Sequence, residues 1–414
     1  MHIRRWDSGE IIATQRLMDM AGYIGHRGDY HQAFFDRVEE LGVPIHMGTE
    51  VTGWDEWAPS VTLETGETVH ADLVIGADGI KSACRELVLG IQDKPKSSGY
   101  ACYRAYCDGD LIKADPVANI LVAADQMSIW IGPDLHIVCN TTHDGKHFNC
   151  IWTHKDDKEI EQKWSRPGDL DEGIKLVENW DPTIVRALKR LPGCLDWQIA
   201  YRAPLQTWIS KSGKVALIGD AAHPHLPTSA QGASQAVEDA ACLAICLELA
   251  GKGNVRLATL TYERLRYARV LKTQKTGEDT RIKWHTALAK MEANEYIEPE
   301  SVHMRNQWIY PHDAEADTRA RFHDVAAQIQ KELDEGKGPI SPMDLLGPDR
   351  YDIPQIPDED RKRVAKIVEG HMADLEKAGV PIYRGHPELR KSGQASAASK
   401  VDDKSYISPV SVIT

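Results

Sequence analysis

The sequence predicts an α/β protein: a parallel, helix-flanked sheet, a separate antiparallel sheet, and a helical C-terminal arm. Three observations predict it. Two stretches, beginning near Ala71 and Lys214, each pass from an apolar strand through a corner carrying Gly and Asp into a helix. Between them, residues 100–154 alternate apolar and polar positions in short runs, the pattern of antiparallel strands with one buried face. Beyond Gly251 the apolar residues recur at helical spacing.

Composition narrows the function classes. At 414 residues and 46.2 kDa the chain is long enough for two regions with a shared core. A net charge of -13 and a pI near 5.7 argue against nucleic acid or an anionic membrane as partner. No apolar run approaches a membrane span, so a cytoplasmic location is expected. The eight cysteines contain no C-x-x-C pair and read as scattered reduced thiols; Cys242 and Cys246, one helical turn apart, suit the core.

Taken in order, Ile3–Trp6 and Glu10–Arg16 read as strands around an Asp-Ser-Gly turn. Gly28 and Asp29 open a helix whose apolar face is Phe34, Val38 and Leu41. Gly42 stops it, and Val43–Met47 reads as a parallel strand. Arg27 stands just before the helix; taken alone it is a surface charge. Residues 61–63 and 68–70 form a hairpin. The strand of ADLVIGADGIKSACRE ends at Gly76-Ala77-Asp78-Gly79, where Asp78 can cap the helix that follows. Arg85 is suited to holding that turn or a pyridine nucleotide. The antiparallel stretch comprises ACYRAYC, NILVAA, MSIWIGP, LHIVCNT and HFNCIWTH, with turns at Gly132-Pro133-Asp134 and Asp144-Gly145. His136, His143 and His147 straddle a glycine turn, so no metal is expected there. Residues 170–191 hold short helices broken at Asp181-Pro182.

Residues 214–251 organise the rest. Val215–Ile218 is a buried strand, Gly219 and Asp220 break it, and Pro224 and Pro227 keep the loop from coiling. Thr228 or Ser229 can cap the next helix, and Gly251 ends it. A carboxylate at a strand tip beside helix N–H groups suits a polyol phosphate, and Gly232 and Ala233 leave the backbone open to a flat ligand. Spacing alone fits any αβ turn of a doubly wound domain equally well. Helices are expected over 254–270, 278–291, 313–333 and 361–378, with irregular chain over 336–357.

The wording of GDAAHPHLPTSAQGASQAVEDA closely resembles the second flavin motif of the class A flavoprotein aromatic monooxygenases, salicylate hydroxylase and its fungal relatives among them. GADGIKSACRE is similar to the same family's D-G motif, and GHRGDY to its H-R-x-D-L/Y motif. The resemblance covers roughly residues 1–310. It implies an FAD-binding Rossmann-like region over 1–97 and 196–253 and a substrate-binding antiparallel sheet over 98–195; helical periodicity extends the arm over 254–390, and 391–414, low in large apolar residues, reads as a disordered tail. It assigns Arg27, Asp78, Asp220, Gly232 and Ala233 to the cofactor, and His223, Pro224 and Pro227 to the substrate pocket. Arg104 takes the place that faces the flavin and an anionic ring, where an always-charged fork is suited to a carboxylate or phenolate; otherwise it is a strand-surface arginine.

Two departures from the family stand out. No G-x-G-x-x-G occurs, and the opening residues match what normally follows that unit. The front of the domain is therefore expected to be missing, through an incomplete gene model or through genuine loss. Asn140 stands where relatives usually carry a tyrosine, and an amide cannot serve as a general acid.

The activity implied is hydroxylation of an aromatic small molecule, using FAD, NADH or NADPH, and O2, by a possible homodimer. An FAD-dependent oxidase or epoxidase, or a non-catalytic remnant that binds FAD poorly, are the alternatives.

Overall fold

The computed structural model describes residues 1–15, 25–90, 94–156, 158, 165–293, 295–303, 308–336 and 340–346. The expectations for 361–378 and 391–414, and most of 336–357, lie outside the described residues. One compact unit comprises Met1–Gln15, Gly25–Asn306 and Ala314–Pro354; a second comprises Arg16–Ile24, Gln307–Asp313 and Gln355–Thr414. Everything below concerns the first.

In chain order its elements are β1 (His2–Arg5), β2 (Ile11–Thr14), α1 (Arg27–Glu40), β3 (Val51–Asp55), β4 (Ser60–Leu63), β5 (Thr68–His70), β6 (Val74–Gly76) and α2 (Cys84–Leu89). Then come β7 (Lys96–Asp108), α3 (Gly109–Lys113), β8 (Met127–Ile131), β9 (His136–Thr142), β10 (His147–Lys155), β11 (Ser165–Gly168), α4 (Leu170–Lys175) and α5 (Pro182–Leu188). The remainder are β12 (Cys194–Tyr201), β13 (Val215–Leu217), α6 (Gly232–Ala250), α7 (Val255–Glu292), α8 (Ala314–Asp334) and α9 (Pro342–Leu345).

The large sheet has eight strands in the order β11-β12-β7-β10-β9-β8-β1-β2. All neighbours are antiparallel except β1 and β8. The opening strands thus extend this sheet and do not pair with the flavin-region strands. Alternation sorts its faces. Tyr103, Ala105, Cys107, Phe148, Cys150 and Trp152 point to one side and bury against Ile184, Val185 and Leu188 of α5. The other side carries Arg104 and Tyr106 of β7, opposite Ile151 and Asn149 of β10. Trp284, Ala287 and Met291 of α7 close the β1–β8 end of the sheet.

β13 and β6 pair in parallel, and a second core forms where they meet α6, α7 and α8. Trp208, Tyr262 and Tyr267 are its largest buried rings.

Four local expectations are corrected. Val43–Met47 forms no strand: it lies between Gly42 and Gly48, both at positive φ, with its apolar side chains exposed and no ladder partner to satisfy it. NILVAA is a 3-10 helix over Ala118–Val122, started by Asp115, whose carboxylate accepts the Val117 and Ala118 amides. α7 is one continuous helix; the hydroxyls of Thr273, Thr276 and Thr280 donate back to carbonyls of the preceding turn through the stretch expected to break. The apolar face of α1 is not buried, and Phe34 remains 59% exposed.

Candidate flavin site

β13 is wholly buried and delivers the chain to Gly219. That residue has φ +56, and a Cβ there would lie 3.2 Å from the Cβ of Ala236 on α6, so the corner needs glycine twice over. The turn carries Asp220 outward. The residue is exposed, yet protein surrounds its carboxylate, and this burial lifts its pKa above the ordinary aspartate range. His223 and Arg27 lie near enough to oppose that shift by attraction. A Cβ on Gly232 would meet Asp220 Oδ1 at 3.7 Å and the His225 Cβ at 3.6 Å. Asp220 and Gly232 therefore share one corner, and Arg27, about two hundred residues earlier in sequence, lies close enough for its charge to act on the Asp220 carboxylate. Ala233 is exposed in the first turn of α6.

No side chain caps α6. Thr228, expected as a cap, donates instead to the Gly277 carbonyl at 2.8 Å, and Ser229 donates to the Leu226 carbonyl at 2.9 Å. Ala230, just before the helix, sits at φ +52, a strained position for a residue with a side chain. The start of α6 thus offers unpaired amides beside a carboxylate and a cradle with room for backbone approach.

The loop ahead of it is held from beneath and from the side. His223 was expected to face a ligand, but it is only 2% exposed and turns inward. Its Nε2 donates to Asp239 at 2.5 Å, because a buried carboxylate is a stronger partner than water. Pro224 is buried as well, and its carbonyl accepts from Gln274 Nε2 of α7 at 2.9 Å. His225 Nε2 meets Thr273 Oγ1 at 2.9 Å. Pro227 is exposed and opens a short 3-10 turn.

The first motif is tied to the second. Asp78 Oδ2 accepts the amides of Ala83 and Cys84 at the start of α2. Arg85, of the same helix, donates to the carbonyls of Ala203, Ala221 and Ala222, so it holds the turn. On the large sheet, Arg104 stacks on the Trp197 ring at 5.4 Å. Asn140 accepts from Asn149 Nδ2 at 2.7 Å on the same face. Among the described residues no group of three His, Cys, Asp or Glu could hold a metal, and no helix is long and apolar enough to cross a membrane.

The model of the family described as FAD binding domain matches residues 27–276. FAD-dependent monooxygenase nodY2 of Hypoxylon pulicicidum is 35% identical over 337 residues, covering 78% of this chain and 72% of that protein. This chain belongs to the class A FAD-dependent monooxygenases. Notoamide E oxidase notB of Aspergillus sp. (strain MF297-2) is 31% identical over 319 residues, 74% of this chain and 69% of that protein. The crystal structure of CtdE in complex with FAD and substrate 4 superposes with a TM-score of 0.71 at 28% identity, over 80% of this chain and 82% of that one.

The residues of the monooxygenase fit the cofactor. The uncapped helix start suits its phosphates, the open Gly232 backbone suits a flat ring, and the Asp220 carboxylate suits the hydroxyls of its chain. His223 Nδ1 is buried without a hydrogen-bond partner. Sequence reasoning missed Asp239, Arg266, Thr273 and Gln274. The Glu-Asp pair closing the motif was a signal for the first, but nothing in the spacing pointed to the α7 residues.

Proposed function

We propose that this monooxygenase hydroxylates an aromatic, phenolic or carboxylated small molecule, with NADH or NADPH as reductant. The observation that carries the reading is the corner that Asp220 and Gly232 form at the uncapped start of α6, within reach of the Arg27 charge, with Arg104 on the open face of the large sheet. When bound, FAD supplies the electron transfer and oxygen activation. Asp220 accepts hydrogen bonds from hydroxyls of the cofactor, and the amides of Gly232 and Ala233 approach its ring. Arg27 supplies positive charge beside it, and Asp78 shapes the joint where the nicotinamide docks. Arg104, seated over the Trp197 ring, binds the substrate anion, and the loop through Pro224 and Pro227 limits water.

The test is steady-state NADH and NADPH oxidation by the full chain reconstituted with FAD, against a panel of phenols and aromatic acids. Stimulation by a panel member, with one oxygen atom gained in the product, is expected. No stimulation by any of them sinks the reading. An oxidase reading has one observation in its favour: Asn140 replaces the phenol usual in hydroxylating relatives, and notB is named an oxidase. It gives a product that has lost hydrogen and gained no oxygen.

A further inference from the structure

Beneath the corner lies a buried charge cluster that the proposed chemistry does not use. Asp239 of α6 is 0% exposed. Its Oδ2 accepts the Gly219 amide at 3.0 Å and His223 Nε2 at 2.5 Å; its Oδ1 accepts Arg266 Nε at 2.9 Å. Arg266 of α7, also buried, donates to Glu238 Oε2 at 2.5 Å and to Gln235 Oε1 at 2.7 Å. Arg269 donates to both oxygens of Glu238, at 2.7 and 2.8 Å. Two carboxylates face two guanidinium groups, so their charges balance.

We infer that Asp239 is a positioning residue for the cofactor: it sets the Gly219–Asp220 corner and the His223 loop from below. The argument is geometric. One carboxylate grips the residue before Asp220 and the residue three after it, so the intervening backbone has two anchors on a single rigid group. That group is in turn fixed by Arg266 from a different helix. Arg85 holds the Ala221 and Ala222 carbonyls of this turn and Gln274 the Pro224 carbonyl, while Asp239 is the side chain that grips both the Gly219 amide and His223. A buried ion pair adds little net stability over apolar residues of equal volume, so its value here is orientation. Asp239 stays ionised although burial works against it, because His223, Arg266 and the Gly219 amide hold its pKa below the ordinary aspartate range.

This inference rests on the assignment of the Asp220 corner to FAD, and the experiment separates the two. Apo-protein variants are titrated with FAD, following flavin fluorescence, with thermal unfolding of each apo form measured in parallel. Asp220→Asn is the control: wild-type FAD affinity in that variant overturns the corner assignment itself. Asp239→Leu/Arg266→Met replaces the pair by apolar groups of similar volume. We expect some loss of apo thermal stability, because the Gly219 amide and His223 Nε2 lose their buried acceptor, and, at a temperature where the variant stays folded, FAD affinity at least tenfold lower with an altered visible circular dichroism band of bound flavin. Wild-type affinity and band in the double variant, with Asp220→Asn impaired, overturn the positioning role. If the double variant does not fold, His223→Gln and His223→Leu decide. Gln keeps a donor toward Asp239 and retains affinity; Leu loses it at least tenfold. Equal affinity in the two overturns the inference.

Discussion

Arg85 Nη1 reaches the Ala221 carbonyl oxygen at 3.1 Å, across 136 positions of sequence. The guanidinium is 1% exposed and also holds Ala222 and Ala203, so one side chain of the first Gly-Asp corner fastens the backbone of the second. Arg85→Ala strips several buried acceptors of their donor and is expected to cost about 3 kcal/mol. Arg85→Lys, with a point charge in place of a planar fork, recovers part of this. Denaturant unfolding checks it; a loss under about 0.5 kcal/mol for the alanine variant would contradict the tie.

Asp220→Asn separates stability from binding. Burial raises the Asp220 pKa, so the ionised carboxylate disfavours the apo fold. The sign follows: the wild-type contribution is fully present below the unfolded pKa and is lost as pH rises through the higher folded value. The asparagine variant escapes that loss. Its apo form is expected to be more stable than wild type at neutral pH, with the gap closing in acid. FAD binding moves the other way, weakening by about 2 kcal/mol, roughly thirtyfold, as charge-assisted hydrogen bonds are lost. Melting curves across pH and FAD titration of one preparation test both arms.

Arg104 is argued to bind substrate and not cofactor. Arg104→Gln keeps hydrogen-bond donors but removes the charge that stacks on Trp197. An increase in KM of roughly tenfold or more for a carboxylated substrate is expected, with FAD affinity unchanged. An unchanged KM, or a loss of FAD, removes Arg104 from the pocket.

The corner proposed for the cofactor was legible as a unit because it is local: Gly219, Asp220, Gly232 and Ala233 lie within one strand–loop–helix segment. Arg27 was reachable only through the resemblance, since its approach to Asp220 depends on how α1 docks. His223 was misread because a histidine beside prolines gives no hint of a carboxylate sixteen positions on, inside the next helix. α7 was split in two because threonines and Gly277 have low helix propensity; tertiary contacts with the loop outweigh it. Val43–Met47 failed for the opposite reason: the apolar run is there, but no described strand lies beside it.

Glu263 predicts a pH dependence far from the flavin corner. It is buried, accepts from the Trp208 amide and from Thr207 Oγ1, and burial pushes its pKa up to about 7. The folded value lies above the unfolded one, so this group's contribution is present below about 4.5 and lost as pH rises toward about 7. Over that window the loss amounts to roughly 3 kcal/mol. Glu263→Gln keeps an acceptor and has no proton to lose. Its unfolding free energy, relative to wild type, is expected to rise between those pH values and then level. A constant difference across the window would show that Glu263 does not titrate there.

Gly277 sets two effects of similar size against each other. In the interior of α7 it lowers helix stability, and alanine is better there by about 1 kcal/mol. But a Cβ would lie 3.2 Å from Thr228 Oγ1 and 3.3 Å from the Ser229 backbone nitrogen, so the loop must retreat by a few tenths of an ångström. That loop leads into Gln231 and the start of α6, and Thr228 is bonded to the Gly277 carbonyl. Gly277→Ala should therefore leave stability within about 1 kcal/mol of wild type, since propensity and crowding offset each other, while FAD affinity falls several-fold. Gly277→Val adds a branched carbon at the contact and loses the propensity gain, so stability and affinity fall together. Paired unfolding and FAD titration of the two variants decide the matter: if valine leaves both unchanged, α7 does not hold the loop in place.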